Sequence, residues 1–224
     1  RHYHSKHFWW DYSSLSKTTH SRIQGIFSYQ KTHTTLRFAV DELDNLTYFG
    51  QSYTMGDTEQ PRKDVAIHVG QGGATSLLTV QLEQNFNLGP LYWENVITYQ
   101  KSSKEDVIAV PDLNIYSNLY LHFKIARVLK CDLGGDIRYF SKYYAPDYSP
   151  ALGSYTIQEG SNRVKTGNYP IINVYANFHL KHTRFFVMMS HINAGSGKKD
   201  YFLTPHYPIN DRILRFGLSW NFFN

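Results

Sequence analysis

A chain of 224 residues with a net charge of +5 is long enough for one large domain. Its mean hydropathy is −0.45 and its longest apolar run is the five residues from Phe185 to Met189, so a membrane-spanning helix, which needs about 20 apolar residues, is excluded. A single cysteine, Cys131, excludes an internal disulfide and any paired-cysteine metal motif.

Aromatic residues make 16% of the chain, an excess that favours strands and, for Tyr and Trp, membrane interfaces. Lys and Arg arrive one or two at a time with no basic block, which argues against a nucleic-acid partner. The sequence opens at Arg1 without a basic-then-apolar leader. The expectation is a processed chain or the rear part of a longer protein.

No helical period runs long enough to trust; period-two alternation recurs instead. Residues 3–11 are a weak strand candidate, and 21–30 and 34–50 alternate loosely. In 77–88, Leu78, Val80, Leu82, Phe86 and Leu88 oppose Thr79, Gln81, Glu83, Asn85 and Asn87. Segment 90–101 puts Asn95 among its apolar residues. In 116–127, Leu119, Leu121, Phe123 and Ile125 oppose Tyr116, Asn118, Tyr120, His122 and Lys124. In 132–144, Leu133, Ile137, Tyr139 and Tyr143 face away from Asp136, Arg138 and Lys142. In 171–181, Ile172, Val174, Ala176, Phe178 and Leu180 oppose Asn173, Tyr175, Asn177, His179 and Lys181. Segment 182–193 puts Phe186 on its polar side, and the last segment sets Leu214, Phe216, Leu218, Trp220 and Phe222 against Ile213, Arg215, Gly217, Ser219 and Asn221. The sum is about ten strands, an even count that returns the carboxyl terminus to the short-turn side.

Short and long connections alternate. Tight turns are expected at Lys31–His33, Gly89–Pro90, Leu129–Cys131 and around His182, and long connections at 12–20, 51–76, 102–113, 146–168 and 194–211. A membrane barrel has this rhythm, with short periplasmic turns and longer extracellular loops. Stretch 64–70 within the second long loop reads as a strand extended beyond the membrane. Soluble β-sandwiches alternate too, but these strands exceed the usual five or six residues. The aromatics also gather near strand ends, at Tyr92, Trp93, Tyr99, Tyr139, Tyr143, Tyr144, Trp220, Phe222 and Phe223, where a bilayer-interface girdle would sit.

The segments VPDLNIYSNLYLHFK (110–124), LGGDIRYFSKYYAPDYSPALGSY (133–155), GNYPIINVYANFHLKHTRFFVMMSHIN (167–193) and YPINDRILRFGLSWNFF (207–223) together resemble the putative porin family of Bacteroidetes outer membranes. Residues 7–23 and 88–103 fit the same pattern, so the resemblance covers nearly the whole chain. It implies an all-β, antiparallel transmembrane β-barrel domain over 1–224, part of a larger barrel, because family members are longer. The terminal strand is similar to an outer-membrane assembly signal, departing from it in that Asn224 follows Phe223.

The polar faces carry charges of both signs: Arg37, Asp41, Glu83, Glu94, Lys124, Asp136, Arg138, Lys142, Lys181 and Arg215. In a barrel these are candidates for a pore lining that tunes ion selectivity. The bland alternative is a plug of mutually paired side chains, since about eight strands are just filled by side chains. Other motifs carry less. His2, His4 and His7 lack a partner ligand in register, so no metal is expected. Ser190 and His191 are adjacent on a strand and point to opposite faces, so they form no dyad and no enzyme is expected. Gly70, Gly72 and Gly73 lack the Lys and helix of a phosphate loop. Asn45–Leu46–Thr47 matches a glycosylation acceptor, which means little in a bacterial protein. Loop 146–168 either folds inward as a constriction or caps the pore, or it is a floppy surface loop.

The leading expectation is an outer-membrane porin for passive diffusion of small hydrophilic solutes or ions, without cofactor, in contact with outer-membrane lipid. A homo-oligomer or other outer-membrane proteins are possible partners. The alternatives are a structural or accessory barrel of a larger outer-membrane complex, the barrel end of an energised transporter, and a soluble β-sandwich adhesin.

Overall fold

The computed structural model describes residues 2–4, 9–11, 14–55, 62–197 and 201–222, with the side chains of 2–4, 9–11, 55 and 62–64 excepted. The side chains of the metal candidates His2 and His4 therefore lie outside what is described, as do His7 and Phe223 altogether. Among the described residues no cluster of metal-ligating side chains forms, and no helix is long and apolar enough to cross a membrane.

A short hairpin, β1 (His2–His4) with β2 (Trp9–Asp11), precedes the principal sheet. That sheet contains β3 (Thr19–Tyr29), β4 (Thr34–Asp44), β7 (Thr75–Leu88), β8 (Leu91–Ser102), β9 (Leu113–Ile125), β10 (Leu129–Phe140), β13 (Ile171–Leu180), β14 (Thr183–Ser190) and β17 (Ile213–Trp220). The nine strands follow one another in space in chain order, and every neighbouring pair is antiparallel. The remaining strands sit in the long connections. They are β5 (Thr47–Met55) and β6 (Arg62–Gln71), β11 (Asp147–Ser149) and β12 (Ser154–Gln158), and β15 (Phe202–Thr204) and β16 (Tyr207–Pro208).

Alternation of side chains across the pleat gives the principal sheet two unlike faces. One face is apolar and exposed: Ile23, Phe38, Leu82, Leu119, Leu133, Val174, Phe185 and Leu218 lie on it, Ile23 at 75% and Phe216 at 80% exposure. A β-sandwich would bury that face against a second sheet. Here the buried apolar side chains are mostly elsewhere: Tyr53, Val69, Val107, Ala145 and Tyr169 all belong to the long connections. Of the principal sheet, Ala39 and Cys131 are the buried apolar residues among those described, and Cys131 is opposite Phe123 and Phe178 on the apolar face.

The departures at Asn95 and Phe186 have local causes. Asn95 lies on the apolar face but accepts from Ser117 Oγ at 2.7 Å, and Ser117 Oγ in turn accepts from Trp93 Nε1 at 2.8 Å, so its polar group is satisfied within the face. Phe186 lies on the polar face directly opposite Gly217, whose missing side chain leaves room for the ring.

Several expectations are corrected. The principal sheet has nine strands, not about ten, and the sheet is open: β3 and β17 do not pair. Its odd count makes β3 and β17 run in the same direction, so joining them directly would require a parallel pair. The loosely alternating 34–50 is two strands, bent at Asn45, where φ is 55°. The third tight turn is Ala126–Val128, with φ of 49° at Ala126 and 60° at Arg127, and Leu129–Cys131 begins β10 instead. Neither Ala nor Arg advertises a positive φ, so the residue types do not mark the turn in the sequence. Tyr92 leaves the girdle for the polar face, where it stacks on Tyr120 at 5.1 Å; Trp93 and Trp220 near the short turns and Tyr99 and Tyr139 near the long connections remain on the apolar side.

Candidate functional site

The polar face of the principal sheet brings together side chains from all nine strands. On β3 and β4, Asp41 is held by His20 Nε2 at 2.7 Å and Arg22 Nε at 3.7 Å. Arg37 on β4 pairs with Glu83 on β7 and donates to Gln81 Oε1 at 3.3 Å. The centre is a relay of carboxylates and amides across four strands. Asn118 donates to Glu94 at 3.1 Å and accepts from the Tyr175 hydroxyl at 2.8 Å, while Tyr120 donates to Glu94 at 3.2 Å. Asn173 donates to Asp136 at 2.9 Å, and Arg138 Nε lies 3.9 Å from the same carboxylate with its guanidinium over the Tyr116 ring. These groups sit at Cα-paired positions, Glu94 opposite Asn118 and Asp136 opposite both Asn118 and Asn173, so register alone assembles the relay.

Eight of the ten sequence-derived lining candidates lie on this face: Arg37, Asp41, Glu83, Glu94, Lys124, Asp136, Arg138 and Arg215. Lys181 occupies the β13–β14 turn at φ 49°, and Lys142 follows the end of β10; they stand at opposite ends of the sheet. Sequence reading passes over His20, Arg22, Asp132, Lys130 and Arg184 on the same face, and puts His122 there without counting it among the lining candidates. Their alternation was available in the sequence, but the strands that bear them were read loosely or only in part.

The long connections close over one end of the sheet. β12 runs parallel to β5, pairing Ile157 with Gly50 and Gln158 with Gln51, and joins β6, β5, β12 and β11 into a four-stranded loop sheet. Loop 146–168 is paired into this second sheet through β11 and β12. Its core is polar. Gln51, Asp147, Thr156 and Gln158 are all buried, and Thr156 Oγ1 lies 3.1 Å from Gln51 Oε1 while Gln51 Nε2 donates to Asp147 at 3.3 Å. Burial of such groups is tolerable only because each is partnered.

The described parts of the next connection, 191–197 and 201–212, form a strap across the polar face. His191 Nδ1 donates to the Asn210 carbonyl at 2.9 Å, Arg212 donates to the Ile192 carbonyl at 2.9 Å, and Tyr201 donates to Asp211 at 2.9 Å. At the tip of its β15–β16 hairpin, Pro205 is fully buried and His206 Nδ1 lies 3.4 Å from Asp147. A cavity of about 750 Å³ remains between strap and sheet, bounded by Tyr116, Arg138 and Arg215 below and by Leu203, Ile209 and Asp211 above. Phenols in these connections hold their protons more tightly than usual. The hydrogen bond to Asp211 raises Tyr201, and burial raises Tyr48, Tyr143 and Tyr169.

A meander of long antiparallel strands with one exposed apolar face, one charged face and all long connections at one end defines the up-and-down β class to which porins belong. The model of the family described as putative porin matches residues 1–224, the whole chain, and the chain belongs to that family. No curated protein matches it.

Proposed function

We propose that the chain forms barrel wall in the bacterial outer membrane and that small hydrophilic solutes and ions diffuse passively along its polar face. The observation that carries this reading is the exposed apolar face. Leaving a large apolar side chain in water forgoes about 1.5–3 kcal/mol, and an apolar patch far above a few hundred Å² calls for a non-aqueous neighbour. Lipid is that neighbour, and the charged face then turns to water.

Strand parity extends the reading. An all-antiparallel closure between β3 and β17 takes an odd number of further strands, which gives an even total and a lumen wider than eight strands allow. The long connections are extracellular and the short turns periplasmic. Arg37, Asp41, Glu83, Glu94, Asp136, Arg138 and Arg215 line the wall, Lys124 lies near the periplasmic mouth with Lys181 at its rim, and Lys142 lies toward the extracellular mouth. The strap narrows the extracellular side. Uncompensated cations on the face exceed uncompensated anions, so the pore prefers anions.

The buried polar core of the loop sheet favours a second reading, a capped barrel serving as an accessory subunit of a larger outer-membrane assembly. Single-channel recording of the full-length folded protein in a planar bilayer separates them. Ohmic steps with mild anion preference support diffusion; a silent bilayer from heat-modifiable, folded protein removes it in favour of the capped barrel.

A further inference from the structure

Asp41, Glu83 and Asp136 on the polar face pair with arginines, but a row of its cations has no carboxylate partner. Lys124 is directly opposite Lys130, Lys130 opposite His179, and His179 opposite Arg184, all on the polar face next to the short turns. Among the described residues none of Lys124, Lys130 and Arg184 makes an ion pair. The nearby carboxylate, Asp132, is taken by His122 Nδ1 at 2.6 Å. Arg127 and Lys181 add to the positive field from the adjoining turns. Like charges directly opposite on a sheet are destabilising, with Cβ atoms about 4.5–5.5 Å apart. The same sheet pairs Arg37 with Glu83 and Arg22 with Asp41, so the fold has the means to neutralise cations and leaves this row open.

The row also borders a concavity. A cavity of about 500 Å³ is bounded by Lys130, His179, Arg184, Asn177 and Ser219, with the His122-bonded carboxylate Asp132 also on its wall, and Lys124 reaches toward it from the neighbouring strand position opposite Lys130. His179 Nε2 donates to the Lys181 carbonyl at 2.9 Å, which anchors the ring and leaves its other nitrogen uncommitted by that bond. Two ammonium groups supply mobile point charges, and a guanidinium supplies a planar fork suited to two oxygens of one anion. The Asn177 amide and Ser219 hydroxyl add neutral donors. At four strands spaced by about 4.8 Å the row spans roughly 14 Å, a width that long Lys and Arg side chains can close upon a small ligand.

We infer that the short-turn end of the polar face is a binding site for multiply charged oxyanions of the phosphate class, formed by Lys124, Lys130 and Arg184 with His179, Asn177 and Ser219. The inference rests on the polar face being open to water, as the porin reading has it. The site holds a soluble anion at the periplasmic mouth and slows the passage of multivalent anions relative to chloride.

The test is calorimetric titration of inorganic pyrophosphate into the full-length protein folded in detergent, which needs no open channel. Binding is expected. The triple variant K124Q/K130Q/R184Q should weaken it about tenfold or more, the loss expected from deleting charge-assisted contacts. Lys101→Gln, on the apolar side and engaged with Asp112 at 3.2 Å, should leave it unchanged. Heat-modifiable mobility of each variant establishes that it is folded. Equal affinity in the folded triple variant, or no binding by the parent protein, overturns the site. Binding of a short-chain phosphatidate without binding of pyrophosphate also overturns it, because the source is then a lipid headgroup. In bilayers, pyrophosphate added on the periplasmic side should reduce current more than on the loop side. Retained binding with a silent bilayer leaves the site standing and removes the diffusion reading alone.

Discussion

His206 Nδ1 lies 3.4 Å from the carboxylate of Asp147, and that contact ties the tip of the strap to the loop sheet beside it. Asp147 also receives the Gln51 amide and is 1% exposed, so one carboxylate holds three connections together. Asp147→Ala strands the buried Gln51 amide at a cost of about 1–3 kcal/mol. Limited proteolysis should then cut the strap within 201–209 faster, while the heat-modifiable mobility of the principal sheet persists. An unchanged cleavage rate would show that the strap is held by other means.

The two faces predict opposite reactivity at adjacent positions. In a Cys131→Ala background reconstituted in lipid vesicles, Arg215→Cys should react with a charged, water-soluble maleimide and Phe216→Cys should not. The register places Arg215 opposite Met188 on the polar face and Phe216 opposite Val187 on the apolar face. Equal labelling of both would be incompatible with a lipid-facing side.

Tyr48, Tyr143, Tyr169 and Tyr201 all have raised proton affinity in the folded connections. The unfolded phenol ionises near pH 10. A raised folded value means that the folded state binds the proton more tightly, so the associated stability is complete below about pH 10 and declines as pH rises beyond it. The strap and loop sheet should therefore become protease-sensitive above about pH 10. Phenolate absorbance should show these groups ionising later than exposed tyrosines. For Tyr201 the leading cause is its hydrogen bond to Asp211, so Asp211→Asn should move its ionisation back toward the ordinary value.

Gly134 has no space for a side chain. A Cβ there would strike the Tyr120 side chain and the Leu119 carbonyl at 2.5 Å. Gly134→Val should destabilise the sheet by about 1–3 kcal/mol or more through overpacking. The variant should lose its heat-modifiable form at a lower temperature than the parent protein. Retention of the parent's transition would mean that β9 and β10 can separate locally.

The meander was legible where polar and apolar residues alternate without interruption. In β9, Asn118, Tyr120, His122 and Lys124 fall on one side because each has an apolar neighbour in sequence, and the same holds for β13 from Ile172 to His179. Alternation does not announce where a strand stops, so Lys181 was carried onto the face although it turns the chain at φ 49°. The loop sheet was illegible for another reason. Gln51, Asp147, Thr156 and Gln158 are buried polar residues satisfied by one another across remote segments, and polarity in sequence reads as exposure. The charged lining was visible as residue types. Its division into a compensated part and the open row Lys124–Lys130–His179–Arg184 required the cross-strand register.

The bond from Thr156 to Gln51 joins positions 105 residues apart. Closing so long a loop costs entropy that the bond alone does not recover. The strands between must first be in register, for only then do β5 and β12 meet at little further cost. The cap is accordingly a late event in assembly. The end of the sheet that carries the long connections therefore closes last, when Pro205 and His206 reach the loop strands.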